Sequence, residues 1–413
     1  MKRVAIIGSG ISGMTLAHKF KDKFEVTVFE RDSRPGGLIK CDIIDGNLYH
    51  MVGGHVFNSK RNDVLEWFWN FFDKEKEFTK SNRNAVAYMN KPISYPIENH
   101  LYQMDSESMR QIVNDLLDLN QSNKEPENFE EFLKNKFGQT LYEAYFKPYN
   151  EKIWKKDLSK VPLGWLERKL PMPKISEIFY NNIIKEKEMN MVHSSFYYPK
   201  VNGSQFLANR LAEGLNIKLS TPVKSLFKNK KKNKWIVNSE MEFDMIFFAG
   251  NIKSLTSMIK NDFILDYKDK IKGLDFHGTT TVLCEIDPND YSWIYLPDIK
   301  YDAHRIICTG NFSKNNNKTG IMSATVEFTD FVSEEVIKEQ LKRIPFTPKY
   351  ISHKFTKFTY PIQDNKTRAL ISSIKKDMEK ERFYLSGRFA EWEYYNMDAA
   401  MGAAIDLAER IKC

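Results

Sequence analysis

The feature that most constrains the fold is a glycine motif close to the start of the chain. Gly8, Gly10 and Gly13 form a G-x-G-x-x-G pattern that follows the apolar segment VAII and precedes an amphipathic segment from about Ile11 to Lys21. In a strand–turn–helix unit, Gly8 allows the tight turn, Gly10 lets the backbone approach a pyrophosphate, and Gly13 lets the helix pack closely on the strand. The pattern therefore predicts a Rossmann-like unit that binds a dinucleotide.

An acidic residue follows at the position where such units bind a ribose. Glu30 ends the second apolar segment, EVTVF, 17 residues after Gly13. Its carboxylate can accept hydrogen bonds from ribose hydroxyls and repels a 2′-phosphate, so an unphosphorylated adenosine is favoured. Arg31, Gly36 and Gly37 extend the motif to E-R-x-x-x-x-G-G, which resembles FAD enzymes of the glutathione-reductase type more than NAD dehydrogenases. We therefore predict that the chain binds FAD.

The length of the chain and the order of its segments predict several domains. At 413 residues the chain has room for two or three. Its pattern is helical from about 98 to 184, rich in strands at 217–250 and 278–330, and returns to strand, turn and helix at the end. We predict an α/β fold with a discontinuous Rossmann-like FAD-binding domain of the glutathione-reductase type (1–80, 200–262 and 380–413). A helical substrate domain (98–185) and an antiparallel β-sheet domain (81–97, 186–199 and 263–379) are inserted into it.

Composition and charge exclude several other classes of protein. No stretch of about 18 apolar residues is present, so we expect no membrane-spanning segment and a cytoplasmic protein. The four cysteines, at 41, 284, 308 and 413, are scattered without histidines at ligand spacing, which predicts neither a disulfide framework nor a metal site. Part of the net charge of +8 lies in the run KNKKKNK at 228–234, which has no interleaved aromatic residues. We interpret that run as a solvated hairpin tip and expect no nucleic-acid partner.

The segments beyond residue 40 resemble the UDP-galactopyranose mutase family. The resemblance is a series of short motifs in the right order, from about residue 1 to 411: Gly53-Gly54-His55, Tyr145-Phe146-x-x-Tyr149-Asn150-x-x-x-Trp154, Arg168 within GWLERKLP, Trp293-x-Tyr295-x-Pro297 with Arg305, Tyr360-Pro361-Ile362, Gly387-Arg388, and Tyr394-Tyr395-Asn396-Met397-Asp398. The resemblance implies that the first motif lies against a flavin and that the second binds a uridine.

The chemistry of these residues suits a nucleotide sugar. Two arginines from separate segments, Arg168 and Arg305, can hold a pyrophosphate by charge-assisted bidentate hydrogen bonds. Flat aromatic rings such as Tyr149 and Trp154 can stack on a uracil. Each residue also has a purely structural alternative, which is a salt bridge for the arginines and core packing for Tyr149, Trp154 and His55.

The resemblance implies a role for each matching residue. Catalytic roles fall on Arg168, Arg305 and His55. Cofactor contacts fall on Gly8, Gly10, Ile11, Ser12, Gly13, Glu30, Arg31, Gly36, Gly37, Leu38, Gly53, Gly54, His55, Val223, Gly387, Arg388, Asn396 and Met397. Substrate contacts fall on Tyr145, Phe146, Tyr149, Asn150, Trp154, Arg168, Tyr295, Arg305, Tyr360 and Tyr394.

The resemblance also implies a reaction, that of an isomerase. In this family, N5 of reduced FAD attacks the anomeric carbon of UDP-galactose, UDP leaves, and the sugar recloses as the furanose before UDP returns. No net redox change occurs. An external reductant such as NAD(P)H, a role in polysaccharide biosynthesis and a possible homo-oligomer belong to the same expectation.

Departures from the family pattern leave the sugar and the enzyme class open. The chain has Asn396 where bacterial members carry an aspartate, and Phe312 where the eukaryotic branch has a tyrosine that reaches the pyrophosphate. Another nucleotide-linked pyranose, such as a deoxy or amino sugar, is therefore an alternative substrate. One rival is an FAD oxidase of the amine-oxidase or protoporphyrinogen-oxidase type, which needs an apolar cavity and no arginine pair. The other is a non-catalytic binder of the Rab GDP-dissociation-inhibitor type, which uses no flavin.

Overall fold

The structure, a computed structural model, describes residues 1–119, 125–163, 173–185 and 194–411. A parallel sheet forms its first layer. The strands in spatial order are β19 (Phe383–Leu385), β13 (Met245–Phe248), β1 (Arg3–Ile7), β2 (Glu25–Phe29) and β9 (Ile217–Lys218). Every neighbouring pair in this sheet is parallel.

Both faces of the parallel sheet are covered, which explains the uninterrupted apolar sequence of its central strand. Val4 and Ile6 pack with α1 (Ile11–Phe20) and α13 (Met397–Arg410). Ala5 and Ile7 point to the opposite face and join a separate apolar cluster. The predicted α/β fold class, with a Rossmann-like unit at the start of the chain, is confirmed.

A seven-stranded sheet forms the second layer. Its strands in spatial order are β18 (Lys349–Pro361), β14 (Phe276–Ile286), β17 (Met322–Thr329), β16 (Arg305–Ile307), β15 (Trp293–Tyr295), β6 (Ala85–Met89) and β7 (Lys91–Ser94). The pairs are antiparallel except that β6 runs parallel to β15. A segment from early in the chain therefore completes a sheet that is otherwise built from residues beyond 275.

A group of helices packs against the end of the second sheet. It consists of α4 (Ser106–Leu119), α5 (Phe129–Leu141), a π-helical turn (Tyr142–Phe146), α6 (Lys147–Trp154) and α7 (Ile175–Ile184). Apolar residues four apart on each helix, such as Ile112 with Leu116, form its core. Lys152 Nζ donates to the carbonyls of Leu296 and Asp298, each at 2.6 Å. This ammonium thereby fixes α6 on the loop that follows β15.

Smaller elements connect the layers. The strands are β3 (Cys41–Ile44), β4 (Asn47–His50), β5 (Phe78–Asn82), β8 (Ser195–Pro199), β10 (Leu226–Asn229), β11 (Lys234–Val237) and β12 (Met241–Phe243). The helices are α2 (Asn62–Trp69), α3 (Lys74–Glu77), α8 (Gly203–Ala212), α9 (Leu255–Met258), α10 (Lys268–Lys272), α11 (Glu334–Leu341) and α12 (Thr367–Lys380). Among the described helices, none combines the length and the apolarity that crossing a membrane requires.

Two local predictions need correction. The segment IKLSTPV, expected as one strand, is a strand only at Ile217–Lys218, so Val223 lies on the loop before β10. The basic run forms the predicted hairpin tip, and Lys230, Lys231 and Lys232 are exposed. Lys228 in contrast is buried, and its ammonium lies 5.7 Å from the centre of the Trp235 ring, so the run is not solvated throughout.

Candidate functional site

The backbone of the glycine motif forms a tight cradle at the carboxyl ends of β1 and β2. We use the term cofactor cradle for Gly8 to Gly13, Glu30, Gly36 and Gly37. A Cβ on Gly13 would lie 1.9 Å from the carbonyl oxygen of Gly8. Only glycine fits at position 13, because any other residue would clash with that oxygen. A Cβ on Gly10 would meet nothing nearer than Gly37 Cα at 4.0 Å, so open space lies beside the backbone there. Open space beside Gly10 is what the approach of a pyrophosphate requires.

Glu30 is fixed at the edge of the cofactor cradle. One carboxylate oxygen accepts hydrogen bonds from the backbone N–H (2.8 Å) and the hydroxyl (2.7 Å) of Ser9, and the other accepts from the N–H of Asp32 (3.0 Å). Since a carboxylate can accept about four hydrogen bonds, one position is left for a ribose hydroxyl. The sequence did not predict the contribution of Ser9. The side chain of Arg31 is 81% exposed and pairs with Asp32, so its predicted contact with the cofactor stays a prediction.

The loop Gly53–His55 connects the cofactor cradle to the second sheet. His55 Nε2 donates to the carbonyl of Leu38 (3.1 Å), directly after the Gly36–Gly37 pair. Burial, together with the charge of Arg388, lowers the pKa of His55 to about 4, so its imidazole is neutral. A Cβ on Gly54 would lie 2.6 Å from Ile307 Cγ2, so the loop is pressed against β16.

The segment after β19 closes the other side of the cofactor cradle. Gly387 has a φ of +105°, and a Cβ there would lie 2.8 Å from the hydroxyl of Ser12, next to Ile11 at the start of α1. Arg388 donates to the carbonyls of Tyr395 and Thr359. Asn396 is the N-cap residue of α13 and Met397 its first residue. Val223, in contrast, is half-buried against the core beside the parallel sheet.

A cluster of tyrosines and one arginine lies beyond the loop Gly53–His55. We name it the tyrosine–arginine face: Tyr145, Tyr149, Tyr295, Arg305, Tyr360 and Tyr394. Tyr295 and Arg305 are partners on β15 and β16, so their side chains lie next to each other on one side of the sheet. The guanidinium of Arg305 donates to the hydroxyl of Tyr360 (2.9 Å).

Ring contacts join the other members of the face. Tyr149 lies edge-on to Tyr295 at 5.4 Å between ring centres and stacks on Tyr145 at 5.5 Å. Tyr360 stacks on Tyr394 at 5.6 Å, and the guanidinium of Arg388 lies 5.1 Å from the Tyr394 ring. Burial raises the pKa of Tyr360 to about 12, so its hydroxyl is neutral. Residues far apart in sequence are thus brought together as a polar aromatic surface with positive charge.

A buried glutamate that the sequence analysis missed supports Arg305. Glu327 on β17 is 1% exposed and accepts hydrogen bonds from Arg305 Nε and from the backbone N–H of Gly53 (2.9 Å). Although burial alone would raise its pKa, the charge of Arg305 lowers the pKa of Glu327 to about 2. Glu327 is therefore ionised. One signal was available, since a lone carboxylate inside the apolar strand MSATVEFT needs a partner.

Arg83 is a second cation that the sequence analysis missed. Its guanidinium lies 4.9 Å from the Trp293 ring and donates to the hydroxyl of Tyr295. Its Nε is buried and has no hydrogen-bond partner, and no ion pair of Arg83 is found within the described residues. The polar stretch SNRNAV around it contains no signal of this position.

Several predicted substrate residues lie elsewhere. Trp154 packs edge-on to Phe129 (6.4 Å) in the helical core, and its backbone carbonyl accepts from His277 Nε2 (2.9 Å). Phe146 stacks on Phe137 at 4.2 Å. The side chain of Asn150 donates to the carbonyl of Phe146 (2.7 Å), within its own helix.

Two other residues singled out in the sequence are Arg168 and Phe312. Arg168 lies outside the described residues, so its predicted place beside Arg305 stays a prediction. Phe312 is buried, and its ring lies 5.1 Å from Trp293 and beneath Gly54. Among the described residues no cluster of three potential metal ligands occurs.

Comparison with known proteins agrees with this arrangement. The model of the NAD(P)-binding Rossmann-like domain matches residues 6–74. The chain is 28% identical over 178 residues to a probable UDP-galactopyranose mutase of Klebsiella pneumoniae and 28% over 179 residues to the dTDP-fucopyranose mutase of Escherichia coli. These alignments cover 40% and 41% of this chain and 44% and 46% of those proteins, less than half their length. The UDP-galactopyranose mutase of Mycoplasma genitalium is 22% identical over 99% of this chain and 94% of its own.

Solved structures show the same fold. A reduced UDP-galactopyranose mutase superposes with a TM-score of 0.88 at 18% identity, over 99% of this chain and 95% of the other. A putrescine oxidase superposes with a TM-score of 0.64 at 13% identity, over 99% and 98%. The chain thus has a Rossmann-like domain, with a further sheet and helices inserted, and shares the fold of these structures. Its predicted resemblance to the UDP-galactopyranose mutase family is confirmed, and the names of all three relatives agree with the predicted enzyme class, an isomerase.

Proposed function

We propose that the protein is a flavin-dependent mutase that interconverts the pyranose and furanose forms of a nucleotide sugar, with UDP-galactose as the first substrate to test. The observation that carries this proposal is the position of Arg305. Its guanidinium lies among tyrosine rings and is joined through Glu327 to the loop beside the cofactor cradle. A cation next to flat rings suits a nucleotide pyrophosphate. An oxidase that acts on an apolar amine does not need such a cation in its substrate site.

The residues of the cofactor cradle fit FAD. The open space beside Gly10 suits the pyrophosphate, and the remaining acceptor position of Glu30 suits the adenosine ribose. Gly387 and the N-terminus of α13 suit the flavin end. When bound and reduced, the flavin would supply the nucleophile for the anomeric carbon.

The chain itself then has three tasks. Arg305 binds the pyrophosphate and stabilises its charge when the bond to the sugar breaks, and Arg83 offers an unused N–H group in the same region. The neutral hydroxyl of Tyr360 and the hydroxyl of Tyr394 orient the phosphates as donors. The loop Gly53–His55 holds the flavin side, where neutral His55 adds no positive charge to compete with Arg305. Arg168, on its sequence motif, is proposed as the second cation of the pair.

A second substrate class has its own support. The dTDP-fucopyranose mutase of Escherichia coli matches this chain as well as the Klebsiella relative does. A dTDP-linked deoxy sugar is therefore the alternative to UDP-galactose. The tyrosine–arginine face recognises the pyrophosphate that both have in common.

The test is a turnover assay under reducing conditions. Purified protein is assayed for bound FAD, reduced with dithionite, and incubated with UDP-galactopyranose, UDP-galactofuranose, dTDP-fucopyranose and UDP-glucose, and the products are separated by chromatography. We expect ring-form interconversion of one of these sugars and no hydrogen peroxide. Hydrogen peroxide formed from an amine without any sugar interconversion would identify an oxidase instead. A protein that binds neither FAD nor a nucleotide sugar would reject the proposal.

A further inference from the structure

We propose that Glu327 is a positioning residue that couples the two ligands of the protein, so that a nucleotide diphosphate at Arg305 strengthens the binding of FAD and the reverse. This inference rests on the proposed function. It begins with the two oxygens of one buried carboxylate. Oε2 accepts from Arg305 Nε, and Oε1 accepts from the backbone N–H of Gly53 at 2.9 Å.

Loss of either hydrogen bond to Glu327, from Arg305 or from Gly53, would be costly. Glu327 is 1% exposed, so water does not replace a lost donor, and an unsatisfied buried carboxylate oxygen is strongly unfavourable. His304 is a further titratable neighbour, with Nε2 3.6 Å from Oε2. Burial lowers the pKa of His304, so it gives little compensating charge. Displacement of Arg305 therefore displaces Glu327 and pulls on Gly53.

The strand that carries Glu327 transmits such a displacement. All eight residues of β17, Met322–Thr329, are buried, and Glu327 is the register partner of Arg305 on β16 and of Thr281 on β14. A central strand held on both sides leaves the carboxylate little freedom to adjust. Arg305 and Gly53 are thus fixed relative to each other.

From Gly53 the contacts continue to the cofactor cradle. His55, two residues on, donates to the carbonyl of Leu38, and Gly37, next to Leu38, lies so close to Gly10 that a Cβ on it would be 3.2 Å from Gly10 Cα. The path runs from the anion-binding arginine to the place where the dinucleotide pyrophosphate approaches. It consists of hydrogen bonds, close packing and short backbone links, a contiguous network of the kind that can carry energetic coupling.

The expected coupling is positive. Each ligand orders one end of the same network, so the second ligand binds to a site that is already ordered. Couplings of this kind typically change an affinity by about 5-fold to 150-fold, and the same factor applies to both ligands. Because UDP would bind the terminal nitrogens of Arg305, its Nε stays on Glu327 and the connection remains intact.

The experiment measures the dissociation constant of FAD with and without saturating UDP, and that of UDP for apo-protein and FAD-loaded protein. In the wild type we expect both ratios to be equal and about tenfold. In Glu327→Gln we expect both ratios to lie within twofold of one, because the amide has one acceptor oxygen and its NH2 group faces the second of the two donors. The matched control is Tyr360→Phe, which removes a different contact of Arg305; it should weaken UDP and keep the ratio.

The outcomes separate the coupling from the proposed function. A wild-type ratio of one, or an unchanged ratio in Glu327→Gln, overturns the coupling while the proposed function stands. If the wild type binds dTDP and not UDP, the same ratios are measured with dTDP; failure to bind either nucleotide overturns the proposed function. If Glu327→Gln does not fold, Arg305→Lys replaces it, since lysine lacks the separate Nε–H that holds Glu327 while the terminal nitrogens bind a phosphate. A tenfold ratio that persists in Arg305→Lys then overturns the coupling.

Discussion

Backbone atoms form the cofactor cradle, whereas side chains from separate segments form the tyrosine–arginine face. In the cradle, the positions of Gly8, Gly10 and Gly13 follow from one turn between β1 and α1. In the face, Tyr149 comes from α6, Arg305 from β16 and Tyr360 from β18. The cradle therefore depends on the absence of side chains and the face on their presence. The two regions should respond to substitution in different ways.

The largest effect on folding is expected at Gly13, where the helix and the turn of the cofactor cradle approach each other most closely. Gly13→Ala places a methyl group 1.9 Å from the carbonyl oxygen of Gly8, so α1 must move away from β1 and we expect little folded protein. Gly10→Ala is the matched control, because its methyl group meets only Gly37 Cα at 4.0 Å. This variant should fold and lose bound FAD, as measured by melting temperature and flavin absorbance. Gly10→Ala with full FAD content would contradict the assignment of the cradle.

The next effect tests whether the face is structural as well as functional. Arg305→Ala leaves Glu327 ionised, buried and without its main partner, which should cost about 3–5 kcal/mol in the free energy of unfolding. Arg305→Lys keeps a cation and should cost much less, while it weakens nucleotide binding. Urea denaturation gives the first quantity and calorimetric titration with UDP the second. Equal stability of the two variants would mean that Glu327 does not depend on the charge at 305.

A smaller effect is expected from a histidine between the two regions. Burial lowers the pKa of His50 on β4 to about 3, and its Nε2 lies 2.6 Å from the hydroxyl of Tyr198. Since the unfolded chain then binds more protons between about pH 3 and 6.5, stability is lost as the pH falls below 6.5. By pH 5 this amounts to about 2 kcal/mol. His50→Gln should flatten the fall in unfolding free energy between pH 7 and 5 by that amount. A parallel fall in both proteins would contradict the prediction.

The smallest effect concerns Arg83, for which the described part of the chain provides no acidic partner. Arg83→Met should weaken UDP binding about tenfold, because one hydrogen bond to a charged group contributes about 1.5–3 kcal/mol. FAD content and melting temperature should stay close to those of the wild type. Lys80→Met, which removes an exposed cation from neighbouring β5, is the control and should leave UDP binding unchanged. Equal UDP affinity in the wild type and Arg83→Met would exclude Arg83 from the face.

The difference between the regions also decides what the sequence could predict. The contacts of Gly8, Gly13 and Gly37 are local consequences of a backbone turn, so the motif identified them. Trp154 illustrates the limit. It follows Tyr149 by five residues, which places the two rings about 140° apart around α6, so only Tyr149 reaches Tyr295. A pattern of aromatic residues does not reveal this divergence unless the helix is placed against its neighbours.

Arg83 and Glu327 show the same limit, because both lie at the candidate site although the sequence did not single them out. Arg83 reaches Tyr295 only because β6 joins the second sheet beside β15, a pairing between residues about 200 positions apart. Glu327 and Arg305 could have been matched as two charges within apolar strands. Their adjacency, however, depends on the register of β16 with β17. Contacts that depend on sheet order and register are the ones that the sequence left open.

The order of strands in the parallel sheet has a consequence for biosynthesis. β1 is made some 240 residues before its neighbour β13, and β19 follows some 380 residues after β1. At translation rates of about 5–20 residues per second, the apolar strand VAII waits for at least about ten seconds before its sheet can form. During that time the edge of β1 that pairs with β13 is open to other chains. Slow translation at low temperature, or coexpression with a chaperone that binds nascent chains, should therefore raise the yield of folded protein.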